Sequence, residues 1–172
     1  MKLFICEICG DAYIGEEKPS DCPFCGARGT FIKSGADAQP IAEIKTEISE
    51  LSKKNLMETL ALETRANAVY LCMAGEAKDY QIMKMYKRLA KVELEHAIIA
   101  TKLLNIAMPE IETQNCSSED LENFRKTIEL EDHAVELYKK FTAESSEEHV
   151  RKFFGAIMQA EIGHIELIKQ FL

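Results

Sequence analysis

The sequence predicts an all-α four-helix bundle preceded by a small cysteine-rich ribbon that binds metal. Residues 1–32 hold four of the six cysteines and four of the eight glycines, a composition typical of short strands joined by tight turns. Beyond residue 35 glycine is rare, and apolar residues recur at helical spacing. This second part also contains an internal repeat, which indicates two similar helical hairpins.

These observations divide the chain into a four-cysteine metal domain over residues 1–35, a linker over 36–51 and a four-helix bundle over 52–172. Within the bundle, the apolar pattern and the position of Pro109 predict helices over residues 52–78, 80–106, 118–143 and 146–171.

Composition argues against several classes of function. The 172 residues carry a formal net charge of −8 and show no concentrated basic face, so neither nucleic acid nor an acidic membrane surface is an expected partner. No membrane span is expected, and the N-terminus MKLFICEICG lacks the features of a secretory signal, so we expect a cytoplasmic protein. Six cysteines in such a chain favour metal ligation or redox chemistry over disulfides.

The internal repeat has an offset of 68 residues and no gap. Adding this offset relates the polar positions of the first hairpin to those of the second: Glu63 to Glu131, Tyr70 to Tyr138, Glu93 to Glu161 and His96 to His164. Such a duplication is typical of a four-helix bundle with an internal two-fold axis.

Four carboxylates and two imidazoles of this repeat are predicted to face the bundle interior. Residues three apart share a helix face, so each E-x-x-H pair presents an oxygen and a nitrogen to one point. Because a buried ionised carboxylate is costly without a cation, we predict a dinuclear site, and its mixed ligands favour iron or manganese. The predicted ligands, which are also catalytic candidates, are Glu63, Glu93, His96, Glu131, Glu161 and His164.

A single E-x-x-H on an acidic helix is more often part of a solvated face than a metal site. Here two copies share one offset, and each is preceded by an inward glutamate thirty residues earlier, which favours the metal site. Tyr70 and Tyr138 fit two roles, as core aromatics or as hydrogen-bond donors to the ligand carboxylates. We include both tyrosines among the catalytic candidates.

Two C-x-x-C hooks predict a second metal site, in the ribbon. The hooks read CEICG and CPFCG, and their thiolates are Cys6, Cys9, Cys22 and Cys25. Four thiolates form a tetrahedral site, and the glycine after each hook lets backbone N–H groups turn toward sulfur. Iron would make this site a one-electron carrier and zinc would make it a structural staple; fusion to an iron pair favours iron.

The other cysteines and two further histidines carry no predicted function. Cys72 and Cys116 have no matching partner in the spacing pattern and are expected to be unpaired thiols. His149 lies among charged residues and is expected to be solvated, and His133 is expected to point away from the ligand face.

The motifs resemble those of the rubrerythrins, which join a rubredoxin-like module to a ferritin-like di-iron bundle. The resemblance covers nearly the whole chain, through both C-x-x-C hooks, Glu63, Glu131 and both E-x-x-H pairs. Most rubrerythrins carry the rubredoxin module at the C-terminus, so the order here is similar to the reversed arrangement. The resemblance implies a ferritin-like bundle, a rubredoxin-like ribbon, one iron at the four cysteines and two iron ions in the bundle.

The resemblance also implies a peroxidase that protects against oxidative stress. The diferrous site would reduce hydrogen peroxide to water, with electrons returned through the thiolate iron from an external donor, rubredoxin or an NAD(P)H-dependent reductase. One departure is Ala134, where familiar rubrerythrins have a further carboxylate three residues after the Glu131 position. That departure leaves open an oxygen-reducing or iron-oxidising ferritin-like protein, and a non-enzymatic zinc ribbon on a metal-stabilised bundle is a third alternative.

The connection between the two hairpins points to a homodimer. In a ferritin-like bundle, the connection from the second to the third helix must run the length of the bundle, a distance of roughly 35–40 Å with the predicted helix ends. The eleven residues from Ala107 to Ser117 span about 36–40 Å when fully extended, which is barely enough. We therefore predict a homodimer, in which exchange of helical hairpins between chains would relieve this constraint.

Overall fold

The computed structural model describes residues 1–44 and 46–172, which form a three-stranded ribbon followed by four long helices. The elements are β1 (Lys2–Cys6), β2 (Ala12–Gly15), β3 (Ile32–Ser34), α1 (Glu50–Glu76), α2 (Tyr80–Leu104), α3 (Asp120–Glu144) and α4 (Glu148–Ile168). The predicted fold class, a four-helix bundle with a small N-terminal metal ribbon, is confirmed. Within the described residues, no helix is both long and apolar enough to cross a membrane.

The ribbon is an antiparallel sheet in the order β2-β1-β3. Each C-x-x-C hook turns at a glycine with positive φ, 86° at Gly10 and 72° at Gly26, a conformation that residues with a Cβ disfavour. The Gly10 N–H donates to the Cys6 carbonyl (2.8 Å) and the Gly26 N–H to the Cys22 carbonyl (3.0 Å). These two tight turns fold the hooks toward each other.

The predicted linker, residues 36–51, contains one 3-10 turn, Ile41–Glu43, and residue 45 of this stretch lies outside the described residues. Ile41 and Ala42 are buried, and the turn packs against α2 and α4. The Ile41 N–H also donates to the Glu7 carbonyl of the ribbon (2.7 Å). The first part of the linker is therefore tied to both neighbouring units.

Helix ends differ from the predicted ones by a few residues, and capping explains two of the differences. The Ser49 hydroxyl accepts the Ser52 N–H, so α1 begins two residues earlier than predicted. Asp79 caps α2 at its predicted start. This helix ends at Leu104, because Asn105 takes a left-handed conformation with φ 54°.

The connection between α2 and α3 is longer than predicted, fifteen residues from Asn105 to Glu119. A disulfide joins Cys116 of this connection to Cys72 of α1. The expectation that both cysteines are unpaired thiols was wrong. The two positions are 44 residues apart, and the sequence pattern does not reveal that the connection crosses α1.

One apolar core runs without interruption from the ribbon into the bundle. It contains Ile8 and Ile32 of the ribbon together with Leu56 and Phe153 of the helices, all buried. His149 is only 8% exposed and lines a pocket with ribbon residues, so the expectation that it is solvated was wrong. The ribbon covers the first turns of α4, and this shared core fixes the ribbon on the bundle.

Candidate metal centres

The six predicted ligands of the dinuclear site meet in the centre of the bundle. Each of the four helices contributes, and none of the six is more than 8% exposed: Glu63 on α1, Glu93 and His96 on α2, Glu131 on α3, and Glu161 and His164 on α4. All six come from one chain, so one chain can assemble the constellation without hairpin exchange. The homodimer itself stays a prediction.

The six residues form two overlapping groups of four, and within each group the ligand atoms lie within 4.8 Å of one another. Both groups contain Glu93 and Glu161. The two oxygens of Glu161 lie 3.2 Å from His96 Nδ1 and 2.8 Å from His164 Nδ1, and those of Glu93 lie 3.2 Å from each of these nitrogens. Two carboxylates that each face both imidazoles can bridge two neighbouring cations.

Glu63 and Glu131 each complete one group. One oxygen of each lies near Nδ1 of the histidine in its group, at 3.6 Å for Glu63 and 3.4 Å for Glu131. A tyrosine of the opposite hairpin orients each carboxylate: Tyr70 donates to Glu131 Oε1 (2.5 Å) and Tyr138 donates to Glu63 Oε1. Burial, followed by the charge of the bonded glutamate, raises the pKa of both tyrosines well above the usual value, so both hydroxyls stay protonated.

A hydrogen bond determines which nitrogen of His96 faces the carboxylates. His96 Nε2 lies 2.8 Å from the carbonyl oxygen of Cys25, which can only accept. The proton of the neutral ring is therefore on Nε2, and the Nδ1 lone pair points to the predicted metal position. Hydrogen bonds of this kind orient metal-binding histidines and increase their basicity.

Six buried polar atoms that converge between the two groups of residues bear on whether metal ions fit there. Among the described residues, no hydrogen-bond partner exists for either oxygen of Glu93, either oxygen of Glu161, His96 Nδ1 or His164 Nδ1. Buried polar atoms nearly always have a partner, and the convergence of these atoms is compatible with bound cations as that partner. Oxygen and nitrogen donors with two shared carboxylates suit iron or manganese, and the residues fit two iron ions.

Burial disfavours the ionised form of two of the site's four carboxylates. Burial raises the pKa of Glu63 to about 8, and burial with the charges of Glu161 and Glu93 raises the pKa of Glu131 well above its usual range. Burial also opposes ionisation of Glu161, but both site histidines outweigh it and lower the Glu161 pKa. Divalent cations would neutralise the carboxylates in place of bound protons.

The four ribbon cysteines form a second constellation, with all Sγ atoms within 4.8 Å of one another. The Sγ–Sγ distances are 3.8 Å for Cys6–Cys25 and 3.7 Å for Cys9–Cys22. A tetrahedral site with metal–sulfur bonds near 2.3 Å has edges of about 3.8 Å, so the sulfurs are already at ligating distances. This geometry fits iron and zinc alike.

The second hook docks directly between α2 and α4. At Gly26 a Cβ would lie 3.0 Å from the Ala160 Cβ and 3.8 Å from Val92 Cγ1. The adjacent Cys25 accepts the hydrogen bond of His96, so a predicted ligand of one centre touches a predicted ligand of the other. This contact could not be predicted from the sequence, because no spacing motif links residues 71 apart.

A cavity of about 280 Å³ opens between α1 and α3 and reaches the carboxylates of the dinuclear site. Its lining includes Leu62 and Ala134, and the exposed Arg65 and His133 lie at its opening. His133 belongs to neither group of predicted ligands, although it shares this cavity lining with their carboxylates. Arg65 was not singled out from the sequence, because its place at the opening depends on how α1 and α3 pair.

Comparisons with known proteins agree with this architecture. The Rubrerythrin family model matches residues 54–172. The chain is 34% identical over 113 residues to Reverse rubrerythrin-1 of Clostridium acetobutylicum, an alignment that covers 60% of this chain and 62% of that relative. A solved structure of a hypothetical protein from Pyrococcus furiosus matches with a TM-score of 0.55 at 20% identity, over 69% of this chain and 86% of that one, which supports the fold alone.

Proposed function

Because this chain belongs to the rubrerythrin family, with the ribbon N-terminal to the bundle, we propose that it is a non-haem di-iron peroxidase that reduces hydrogen peroxide to water. We also propose that electrons arrive through one iron at the four cysteines. The observation that carries this proposal is the hydrogen bond from His96 to the Cys25 carbonyl, because it joins the two centres within one chain.

When bound, two ferrous ions would together supply the two electrons that convert one peroxide into two waters. The chain's own residues would hold this pair and keep it dry. Glu93 and Glu161 would hold both ions, whereas Glu63 and Glu131 would each hold one. Burial of these carboxylates excludes bulk water, which strengthens the electrostatic interactions inside the site.

Proton supply falls to the tyrosines and the cavity. Tyr70 lines the cavity and donates a hydrogen bond to Glu131, so its hydroxyl proton lies beside the space where substrate enters. Tyr138 donates to Glu63 from the other hairpin and holds that carboxylate in position. We propose Tyr70 as the group that keeps a proton available to the peroxide oxygens.

The remaining parts of the proposal come from the sequence and the family. We propose that the protein works in the cytoplasm in defence against oxidative stress. Its electron donor would be rubredoxin or an NAD(P)H-dependent reductase, and its assembly would be a homodimer. The acidic net charge of −8 argues against nucleic acid as a partner.

Two other functions are compatible with particular features. Ala134 lies in the cavity wall next to the carboxylate cluster and adds no carboxylate to the four already there, which favours an oxygen-reducing or iron-oxidising protein as the second candidate. The sulfur geometry also accommodates zinc, which would make the ribbon a structural module without an electron path.

Anaerobic reduction of the iron-loaded full chain, followed by stopped-flow mixing with hydrogen peroxide and separately with oxygen, tests the proposal. We expect peroxide to reoxidise the protein at least about tenfold faster than oxygen at equal concentration. Metal analysis should find iron in both centres. Faster reoxidation by oxygen would favour the second candidate, and zinc at the cysteines without peroxide reactivity would favour the structural one.

A further inference from the structure

The cavity beside the carboxylates is larger than hydrogen peroxide requires. Its volume is about 280 Å³. That is the space of roughly nine water molecules in the liquid, at about 30 Å³ each, whereas hydrogen peroxide fills about two such volumes. Room therefore remains for a group of several carbon atoms next to the peroxide.

The cavity wall is apolar and follows the internal repeat. Leu62 and Ala66 of α1 face Leu130 and Ala134 of α3, and each pair is related by the offset of 68. Ala66 is 7% exposed and Ala134 is 2% exposed. Because both side chains are small, the space between the two helices stays open. The carboxylates form the floor, and the charged Arg65 lies at the opening.

We propose that the protein also reduces small alkyl hydroperoxides, with the peroxide oxygens at the carboxylate floor and the alkyl group against this apolar wall. The inference rests on the proposed peroxidase function, because it uses the same centre. The O–O bond breaks, two electrons from the external donor and two protons are consumed, and one alcohol and one water leave. Each buried methylene favours binding by about fourfold, a gain that hydrogen peroxide does not share.

Steady-state turnover with tert-butyl hydroperoxide and with hydrogen peroxide tests the inference. We expect kcat/KM values within about tenfold of each other for the wild-type holoprotein. Ala134→Leu fills the cavity and should lower kcat/KM for tert-butyl hydroperoxide by at least about tenfold, while the value for hydrogen peroxide changes by less than about threefold. Val135→Leu is the matched control, since Val135 is the next residue of α3 and lies outside the described cavity lining.

A binding measurement separates the cavity from catalysis. The zinc-loaded full chain is diamagnetic and redox-inert, so the product analogue tert-butanol can be titrated while methyl resonances are followed by NMR. We expect shifts at the methyl groups of Ala66 and Ala134 in the wild type. In Ala134→Leu the Ala66 methyl is the remaining reporter, and its shift should be lost because the leucine side chain fills the cavity. In Val135→Leu both shifts should be retained.

The outcomes separate this inference from the function on which it rests. If the wild type turns over hydrogen peroxide but its kcat/KM for tert-butyl hydroperoxide is more than about tenfold lower, the inference is overturned and the peroxidase proposal stands. No turnover with either peroxide would overturn both. Equal effects of the two leucine variants, or no tert-butanol shifts in the wild type, would overturn the assignment of the cavity.

Discussion

Gly26 and Gly10 occupy equivalent turns of the two hooks but have different surroundings. Both have positive φ, 72° and 86°, so alanine at either position carries a similar backbone strain of about 1–2 kcal/mol. At Gly26 a Cβ would come within 3.0 Å of Ala160 on the bundle. At Gly10 the nearest atom of the described residues is the Pro40 Cβ at 3.5 Å, an ordinary contact. Only Gly26 therefore couples its turn to the helices.

Gly26→Ala is expected to push the second hook away from Ala160 of α4 and thereby to distort the hydrogen bond between Cys25 of the hook and His96 of α2. We expect electron transfer from the cysteine iron to the bundle to slow by at least about tenfold relative to Gly10→Ala, measured by stopped-flow absorbance of the iron-thiolate centre. If both variants transfer electrons at the same rate, this contact is not the electron path.

Glu147 joins the first turns of α1 and α4. Its carboxylate accepts the Ser49 N–H (2.5 Å) and the Ser52 hydroxyl (2.6 Å). Burial alone would raise its pKa, but these hydrogen bonds outweigh burial and lower the pKa to about 2 from 4.5. Because the pKa is lower in the folded state, the ionised group stabilises the fold above about pH 4.5, and this contribution is lost as the pH falls toward 2.

Glu147→Gln should therefore lower the free energy of unfolding by about 1 kcal/mol at neutral pH, a value reduced for partial exposure. Urea unfolding at several pH values should show the difference from wild type shrinking between pH 4.5 and pH 2, the range set by the two pKa values. Glu148→Gln is the control, because the exposed Glu148 carboxylate pairs with Lys152 and its removal should matter less. A difference that persists undiminished in acid would contradict this account.

At the scale of elements, the disulfide and the Asn123 side chain of α3 fix the connection between the hairpins. Cys116 is bonded to Cys72, and the Asn123 side chain bonds both the N–H and the carbonyl of Ser117.

Cys116→Ser removes a cross-link between positions 44 apart and should lower the unfolding free energy of the oxidised protein by up to about 4 kcal/mol. Thermal unfolding with and without a thiol reductant measures this effect. Reductant should destabilise wild type and leave Cys116→Ser unchanged; insensitivity of the wild type would show that the cross-link is absent in solution.

Elements differ in how far the sequence predicts them. Helical periodicity is a local property and the repeat is visible in the sequence itself; together they predicted the four helices and the residues that the structure brings together at the bundle centre. Helix ends depend on single-residue conformations such as the left-handed Asn105, which periodicity does not encode. The disulfide and the docking of the second hook join residues far apart in sequence, so only the folded arrangement reveals them.

For the whole molecule, the buried acidic cluster makes the stability of the fold depend on its cations. Glu93 and Glu161 are 1% exposed, and their four oxygens have no hydrogen-bond partner within the described chain. Without cations, burial first and the neighbouring carboxylates second disfavour the ionised form of Glu131, and burial raises the pKa of Glu63 to about 8. Cations that bind the folded state alone stabilise it by mass action, by about 2.7 kcal/mol at a free concentration one hundred times the dissociation constant.

Removing the metal with a chelator should therefore lower the melting temperature, and adding Fe²⁺ anaerobically, or Mn²⁺, should raise it with the logarithm of concentration. Glu161→Ala removes a carboxylate shared by both groups and should abolish this dependence. Glu166→Ala, an exposed position on the same helix, should retain it and serves as the control. The absorbance of the metal–thiolate bonds shows when the four-cysteine site is fully loaded. Metal added after that point binds the bundle alone, so the change in melting temperature reports on the bundle site. A melting temperature independent of added metal in the wild type would mean that the six side chains are stable without cations, and the dinuclear centre would have to be abandoned.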